Sequence, residues 1–147
     1  MKETTKAYLA GLLDGEGCIS FLRQYENKSL FTLHVIIGSS NWEIINWLKD
    51  NFGGVVKEQK PNALHAGFKR NKMYGRWILR TRNALSFLKE IYPYLRIKKK
   101  HVELAMKYYE TVSTYRERDY FKLPQNRANL REKIVHEIRV LNGRIKG

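Results

Sequence analysis

Apolar residues along the chain follow two alternating periods, which predicts helices separated by pairs of strands. Residues 7–17 have a helical pattern, and residues 18–25 and 30–37 alternate apolar and polar side chains on either side of a polar turn. That arrangement is typical of a β-hairpin. Helical spacing returns over 42–52, and strand spacing returns over 55–60 and 74–81. A further strand is expected near 64–69.

Alternation also assigns the two faces of the hairpin, because successive side chains of a strand point to opposite sides. One face is apolar and is predicted to be buried: Ile19, Phe21, Phe31, Leu33, Val35 and Ile37. The opposite face is mixed and is available for contacts: Ser20, Leu22, Gln24, Thr32 and His34. In the second strand pair, Trp77 and Leu79 are expected to face the core, with Arg76 and Arg80 opposite.

Local signals predict where the helices begin and end. Ser40 and Glu43 have the spacing of a capping box, and the glycine pair at 53–54 stops the helix that follows. Thr81 or Asn83 can cap a third helix, which a proline ends. Apolar stripes predict two more helices, through Val102, Ala105, Met106 and Tyr109 and through Leu130, Ile134, Ile138 and Leu141.

The resulting order of elements predicts an α+β fold in a single domain over 1–147. Its core is expected over about 5–110, and a C-terminal helical extension over about 111–147. For the last helix, packing on the core is favoured over a role in binding.

Composition points to a polyanionic partner. The 147 residues include 28 Lys and Arg against 14 Asp and Glu, a formal charge of +14, with a pI of about 10. No long apolar run or signal-like segment supports a membrane. Cys18 is the only cysteine, so no internal disulfide forms. We expect an intracellular protein, in a prokaryotic cytoplasm or an organelle.

The positive charge is concentrated between residues 57 and 82. Eight Lys or Arg residues stand there against the single acid Glu58. A solvated sheet edge protected by basic side chains would have a similar composition. Aromatic and amide side chains are interleaved with the charges, which favours contact with nucleic acid.

The most unusual stretch is the end of the first helix, where Glu16 stands between Gly15 and Gly17. The C-terminus of a helix carries a partial negative charge, so an acid there requires a cation. Ala7, Gly11 and Gly15 recur at every fourth position and strip one helix face of side chains, which allows a second backbone to approach. An ordinary buried helix with a glycine cap would explain the leucines but not the acid.

The stretch from Leu9 to Gly17, L-A-G-L-L-D-G-E-G, resembles the LAGLIDADG signature of homing endonucleases. The motif occurs once, as in the single-motif, intron-encoded branch of that family. The resemblance implies an αββαββα fold with extra C-terminal helices and an antiparallel DNA-binding sheet. It also implies a homodimer formed through the motif helix, with Ala7, Ala10, Gly11 and Asp14 at the interface, and a long, nearly palindromic double-stranded DNA target.

The resemblance further implies the chemistry of the site. Glu16 and the carbonyl of Gly15 would hold Mg²⁺, with Mn²⁺ as an alternative, and Asp14 would be mainly structural. Lys98 matches the basic position of the active site. Where some family members carry a Gln and an Arg that order waters, this chain offers Ser39. Neither paired zinc-ligand spacing nor a nucleotide-cofactor loop occurs.

DNA contacts are expected from the mixed face of the hairpin and from the charge-rich segment. The candidates are Ser20, Gln24, Lys28, Thr32, His34, Lys57, Lys60, Lys69, Arg70, Lys72, Arg76 and Arg80. Two other functions are compatible with the same fold: an RNA maturase that assists intron splicing, and a DNA-binding regulator that does not cleave. The acid favours the enzyme, because a carboxylate repels phosphate and neither binding role requires it.

Overall fold

The computed structural model describes residues 1–26, 28–60, 73–112 and 123–145. Their elements follow the predicted αββαββα order, with two more helices after it. They are α1 (Glu3–Glu16), β1 (Gly17–Arg23), β2 (Phe31–Ser39), α2 (Trp42–Phe52), β3 (Val55–Gln59), β4 (Tyr74–Arg80), α3 (Thr81–Ile91), a 3₁₀ turn (Tyr92–Tyr94), α4 (Lys99–Glu110) and α5 (Gln125–Leu141). The strand expected near 64–69 lies outside the described residues.

The four strands form one antiparallel sheet in the order β1-β2-β4-β3. In one row across the sheet, Gly17 pairs with Ile37, Ile37 with Trp77, and Trp77 with Val56. This row matters for the site, because Gly17 follows directly on the last residue of α1. The end of α1 is therefore fixed to the centre of the sheet by backbone pairing.

One face of the sheet packs against the helices, and it carries the apolar set that alternation predicts. Ile19, Leu33, Val35 and Ile37 have no exposed surface, and Phe21 and Phe31 are nearly as buried. Burying one such side chain contributes about 1.5–3 kcal/mol. Trp77 is fully buried and donates its indole N–H to the Gly53 carbonyl at 2.8 Å. These contacts confirm the predicted faces of both strand pairs.

The ends of α2 and α3 differ from the predicted capping pattern. Asn41, not Ser40, caps α2: its Oδ1 accepts the Glu43 N–H at 2.9 Å. The stop after α2 is as predicted, since Gly53 and Gly54 both have positive φ, at 70° and 82°. No side chain caps α3, and neither Thr81 nor Asn83 acts as its N-cap.

The two C-terminal helices pack as amphipathic helices, with small changes to the predicted stripes. On α4, Tyr108 is buried while Tyr109 is only partly buried. On α5, Ile134 and Ile138 are buried as expected, but Leu141 is 45% exposed. The helix packs on α4 and on β1. None of the described helices is both long enough and apolar enough to cross a membrane.

Candidate active site and nucleic-acid interface

The chain passes from α1 into β1 without a loop, and glycine makes this junction possible. A Cβ at Gly17 would lie 2.3 Å from Leu13 Cδ1 and 2.7 Å from the Leu13 carbonyl oxygen. Gly17 has φ −97°, and Gly15 is not among the residues with positive φ. Neither glycine therefore has the left-handed backbone conformation that glycine alone adopts easily. Gly17 is required for close packing.

Glu16 is the last residue of α1 and is exposed to solvent. No basic residue stands in the last turn of α1. Within the described part of the chain, the carboxylate of Glu16 has neither a hydrogen bond nor an ion pair. An unpaired carboxylate at the negative end of a helix is electrostatically unfavourable, and a bound cation would relieve it.

Asp14, two residues before Glu16, is in the opposite situation. Its carboxylate accepts hydrogen bonds from the backbone N–H groups of Arg96 (2.7 Å), Ile97 (3.2 Å) and Lys98 (2.9 Å). Partial burial raises the pKa of Asp14, but these three bonds and the nearby charge of Lys98 outweigh it and lower the pKa below its usual value. Instead of facing outward to a second copy, the carboxylate ties α1 to the start of α4.

Lys98 completes this connection from the other side. Its Nζ donates to the main-chain oxygen of Asp14 at 2.6 Å, and the side chain is partly buried. The ammonium group thus lies at the end of α1, bonded to the residue that stands two positions before Glu16. Among the three consecutive lysines 98–100, Lys98 is the one that the structure holds at this helix end.

Ser39 lies at the end of β2, near the same helix end. Gly17 pairs with Ile37, so Ser39 is two residues along the strand, or about 7 Å, from the Gly17 row. Its Oγ accepts the Asn41 N–H at 3.0 Å. The hydroxyl therefore helps form the turn into α2, and its role towards a substrate stays a prediction.

The small-residue face of α1 points out of the molecule. Ala7, Gly11 and Gly15 are exposed, and a Cβ added to either glycine would meet nothing within 4 Å. Tyr8 beside them is 53% exposed. The prediction for Ala10 is wrong, because Ala10 has no exposed surface and packs in the chain's own core. The described chain leaves this close-packing face uncovered.

The open face of the sheet is basic, with an apolar row across its middle. One row pairs Ser20, His34 and Arg80, and another pairs Gly38, Arg76 and Lys57. Between them runs the apolar row Cys18, Ile36, Ile78 and Val55. Alternation along each strand predicts that these four residues share a face, but only the register in the structure shows that they lie side by side.

The basic side chains influence one another on this face. The pKa of His34 is lowered by burial first, and then by the positive charges of Arg80, Lys57 and Arg76. His34 is 8% exposed and Ser20 is 3% exposed. Both are nearly buried, so Ser20 has almost no surface for the predicted direct contact with DNA.

The remaining candidates lie around the hairpin turn and after β3. Gln24 donates to the Thr32 hydroxyl across the hairpin. Lys28 lies near the turn with its ammonium 5.7 Å from the ring centre of Tyr25, and Lys60 is exposed after β3. Three predicted contacts lie outside the described residues: Lys69, Arg70 and Lys72.

Within the described ranges, no three His, Cys, Asp or Glu side chains gather where they could hold an ion. Asp14 is engaged by three amides, so Glu16 is the acid that the end of α1 offers. Carboxylate and carbonyl oxygens suit a hard cation such as Mg²⁺, and the described residues do not complete a set of ligands around Glu16.

The fold of this chain is similar to that of several solved structures. Neither a protein-family model nor a curated protein sequence matches this chain. Among solved structures, the archaeal intron-encoded homing endonuclease I-Vdi141I, complexed with DNA, is similar with a TM-score of 0.70 at 15% identity. The match covers 100% of this chain and 88% of that one.

Two further structures extend the comparison. The homing endonuclease I-CvuI, in complex with its target in the presence of Ca, matches with a TM-score of 0.63 at 17% identity, over 96% of this chain and 94% of that one. The LAGLIDADG homing endonuclease I-SmaMI, bound to cleaved DNA, matches with a TM-score of 0.60 at 16% identity. That match covers 92% of this chain but 42% of I-SmaMI, so this chain corresponds to about half of the longer protein.

Proposed function

We propose that this chain, which has the LAGLIDADG homing-endonuclease fold, is a site-specific DNA endonuclease that acts as a homodimer. It makes metal-dependent double-strand breaks in a long, nearly palindromic target and thereby promotes the mobility of an intron. The structural neighbours are homing endonucleases, several of them bound to DNA, and they support a DNA-directed nuclease. This chain's own residues support dimerisation and DNA contact, through the small-residue face of α1 and the basic face of the sheet.

One observation carries the proposal: among the described residues, nothing pairs with the exposed carboxylate of Glu16 and nothing covers the small-residue face of the helix that it ends. A DNA-binding surface gains nothing from a carboxylate that repels phosphate. A nuclease does need one, because the charge of a phosphodiester must be neutralised before it can be attacked. The position of Glu16 is therefore better explained by catalysis than by binding.

A second copy of the chain supplies what one copy lacks. Ala7, Gly11 and Gly15 allow two α1 helices to approach closely, and a two-fold axis between them brings both Glu16 carboxylates to one locus. Glu16 of each copy, with the Gly15 carbonyl, would hold the divalent metal. When bound, a divalent ion neutralises phosphate charge and lowers the pKa of water. Two-fold symmetry also accounts for a nearly palindromic target.

Lys98 and the open sheet face would serve the substrate. The Lys98 ammonium, held at the end of α1, is positioned to neutralise the scissile phosphate beside Glu16. Arg76, Arg80 and Lys57 give the open face a positive charge that attracts the DNA backbone. The guanidinium groups of Arg76 and Arg80 can also donate to base edges in the major groove. Ser39 is retained as a candidate for ordering water near the strand end.

The proposal is tested by incubating wild type and Glu16→Gln with a randomised duplex DNA library in Mg²⁺. Both the cut molecules and the molecules that are only bound are then sequenced. We expect wild type to cut a near-palindromic site and leave short 3′ overhangs. Glu16→Gln should bind the same site without cutting it, because the change removes the charge and keeps the shape of the side chain.

The other outcomes separate the alternatives. If wild type enriches bound sites but never cuts them, the chain is a DNA-binding regulator and the nuclease proposal is wrong. If neither pool is enriched, the protein does not select DNA, and intron RNA becomes the substrate to test. If Glu16→Gln cuts DNA at the wild-type rate, Glu16 is not part of the active site.

A further inference from the structure

The C-terminal helix α5 contacts the β1-β2 hairpin near its turn through two consecutive residues. Glu132 accepts hydrogen bonds from both terminal nitrogens of the Arg23 guanidinium, at 2.9 Å and 2.8 Å, and from the Ser29 hydroxyl at 2.8 Å. Partial burial raises the pKa of Glu132, but the hydrogen bonds from Arg23 and Ser29 outweigh it and lower the pKa. One carboxylate therefore joins both sides of the turn to α5.

Arg131, the preceding residue, is 1% exposed. Its Nε donates to the Thr111 hydroxyl at 2.8 Å, its Nη2 to the Thr111 carbonyl at 2.9 Å, and its Nη1 to the Ser29 carbonyl at 3.4 Å. Burial of a charge is costly unless it is well bonded, and a fully bonded network is rigid. Arg131 thus joins the hairpin turn to the end of α4.

The two strands of the hairpin are held from further sides. The Tyr108 hydroxyl accepts the Phe31 N–H at 2.9 Å and donates to the Phe31 carbonyl at 3.1 Å. Arg23 also donates to the Lys28 carbonyl at 2.7 Å and lies 4.6 Å from the ring centre of Phe31. The bonds of Tyr108 fix the start of β2 relative to α4, and the contacts of Arg23 hold the two strands of the hairpin together.

The other end of α5 holds the middle of β1. Asn142, directly after α5, donates to the Ile19 carbonyl at 2.8 Å, and its Oδ1 lies 3.2 Å from His101 Nε2. Since β1 is an edge strand, α5 braces it along its free side. The strand that follows Glu16 is therefore supported both in its middle and at its hairpin end.

We propose that Arg131 and Glu132 are positioning residues that hold the β1-β2 hairpin in the orientation with which it reads DNA. The inference rests on the proposed function, because it assigns sequence discrimination to residues that do not touch the DNA. Lys28, Gln24 and Thr32 lie on the hairpin, and base contacts are lost when a supporting element shifts by about 1 Å. The C-terminal helix then contributes to specificity.

The test compares Glu132→Gln with Glu137→Gln, a matched change on the same helix. Glu137 has no hydrogen bond or ion pair to the hairpin in the described structure. Each variant and wild type select bound sequences from a randomised duplex library in Ca²⁺ at one salt concentration. Each variant loses one negative charge, so non-specific DNA binding should strengthen equally in both. A loss of sequence discrimination in Glu132→Gln alone would therefore come from the position of Glu132 and not from its charge.

We expect Glu132→Gln to lose about tenfold of its discrimination at the base pairs beneath the hairpin, and to keep it elsewhere. Glu137→Gln keeps the wild-type preferences. Replacing both partners, Arg23→Glu with Glu132→Arg, re-forms the ion pair and restores part of the discrimination. Identical preferences for Glu132→Gln and Glu137→Gln would overturn the inference.

A second measurement does not depend on DNA, and it separates a local change in the hairpin from a loss of overall stability. Amide hydrogen exchange of the hairpin is followed in the three full-length proteins, with exchange in α2 as the internal reference. We expect residues 29–31 to exchange faster in Glu132→Gln alone. Unchanged exchange there also overturns the inference. A wild type that selects no sequence contradicts the proposed function instead, and the exchange data still decide whether α5 holds the hairpin.

Discussion

Asp14 and Lys98 bind each other through both main chain and side chain. The Lys98 N–H donates to Asp14 Oδ1 at 2.9 Å, and the Lys98 ammonium donates to the Asp14 carbonyl at 2.6 Å. The end of α1 and the start of α4 are thereby locked together, 84 residues apart in the chain. Glu16 emerges directly beside this lock, so its position is set by contacts in which it takes no part.

Asp14→Asn should destabilise the fold in a pH-dependent way. The pKa of Asp14 is lower in the folded protein than its ordinary value of 3.8, so its stabilisation is present above that value and is lost as pH falls through the folded pKa. We expect Asp14→Asn to reduce the free energy of unfolding by about 1–2 kcal/mol at pH 7. Urea unfolding at pH 7 and pH 3 should give a smaller difference at pH 3. Equal differences at both would contradict the assignment.

Lys98→Met should reduce DNA cleavage by about a hundredfold or more, because it removes the ammonium group beside Glu16. Binding of the target should change little, since one phosphate contact of many is lost. Lys100→Met is the matched control, because Lys100 is exposed and belongs to the same run of lysines. Single-turnover cleavage and binding are measured for both variants. Equal losses in the two would mean that only overall charge matters.

Gly11→Leu should convert the protein to a folded monomer. The space above Gly11 is open within one chain, so the side chain fits a monomer but obstructs a second α1 helix. Gly11→Ala separates the effect of bulk from helix propensity, which Ala improves by about 1 kcal/mol. Light scattering after size exclusion gives the molar mass. The dimer is ruled out if wild type is already monomeric, and α1 is ruled out as its interface if Gly11→Leu remains dimeric.

Arg80→Gln should reduce the dependence of DNA affinity on salt. Each phosphate contact contributes about 0.9 to the slope of log affinity against log salt, so the slope should fall by about that amount. Arg127→Gln on α5 is the control, because Arg127 is exposed and outside the sheet face. Affinity is measured at several salt concentrations. If the slope falls by a similar amount in both variants, the open face of the sheet is not the DNA interface.

The pKa of His34 should rise when DNA binds. In the free protein, burial and three neighbouring cations lower its pKa. Phosphates over the same face would offset those positive charges and raise the pKa towards its ordinary value. NMR titration of the His34 ring, with and without target DNA, checks this. A pKa that is unchanged by DNA would indicate that the phosphates lie elsewhere.

The sequence predicts the order of elements and the two faces of the sheet well, because these depend on local periodicity. Ile19 and Trp77 are buried as alternation requires. The caps are predicted less well, since Asn41 and Ser40 have similar propensities and their backbone geometry decides between them. Ala10 was assigned to the wrong side of α1, because small residues suit both a core and a helix contact.

The parts of the site that depend on distant contacts could not be predicted. Nothing in the sequence links Asp14 to residues 96–98, since the partners are backbone amides and carry no side-chain signal. Arg131 is the clearest case. It interrupts the apolar stripe of α5, and only the position of Thr111 and Ser29 explains why a charge is buried there.

The two acids of the motif differ in what they contact. Asp14 is bonded to its own chain, whereas Glu16 has no hydrogen bond or ion pair within the described structure. A lineage carrying this scaffold could therefore change Glu16 in one mutation and keep both its fold and its surfaces. Under selection against cutting, such a protein would survive as a ready-made repressor, whereas loss of Asp14 would be removed by misfolding.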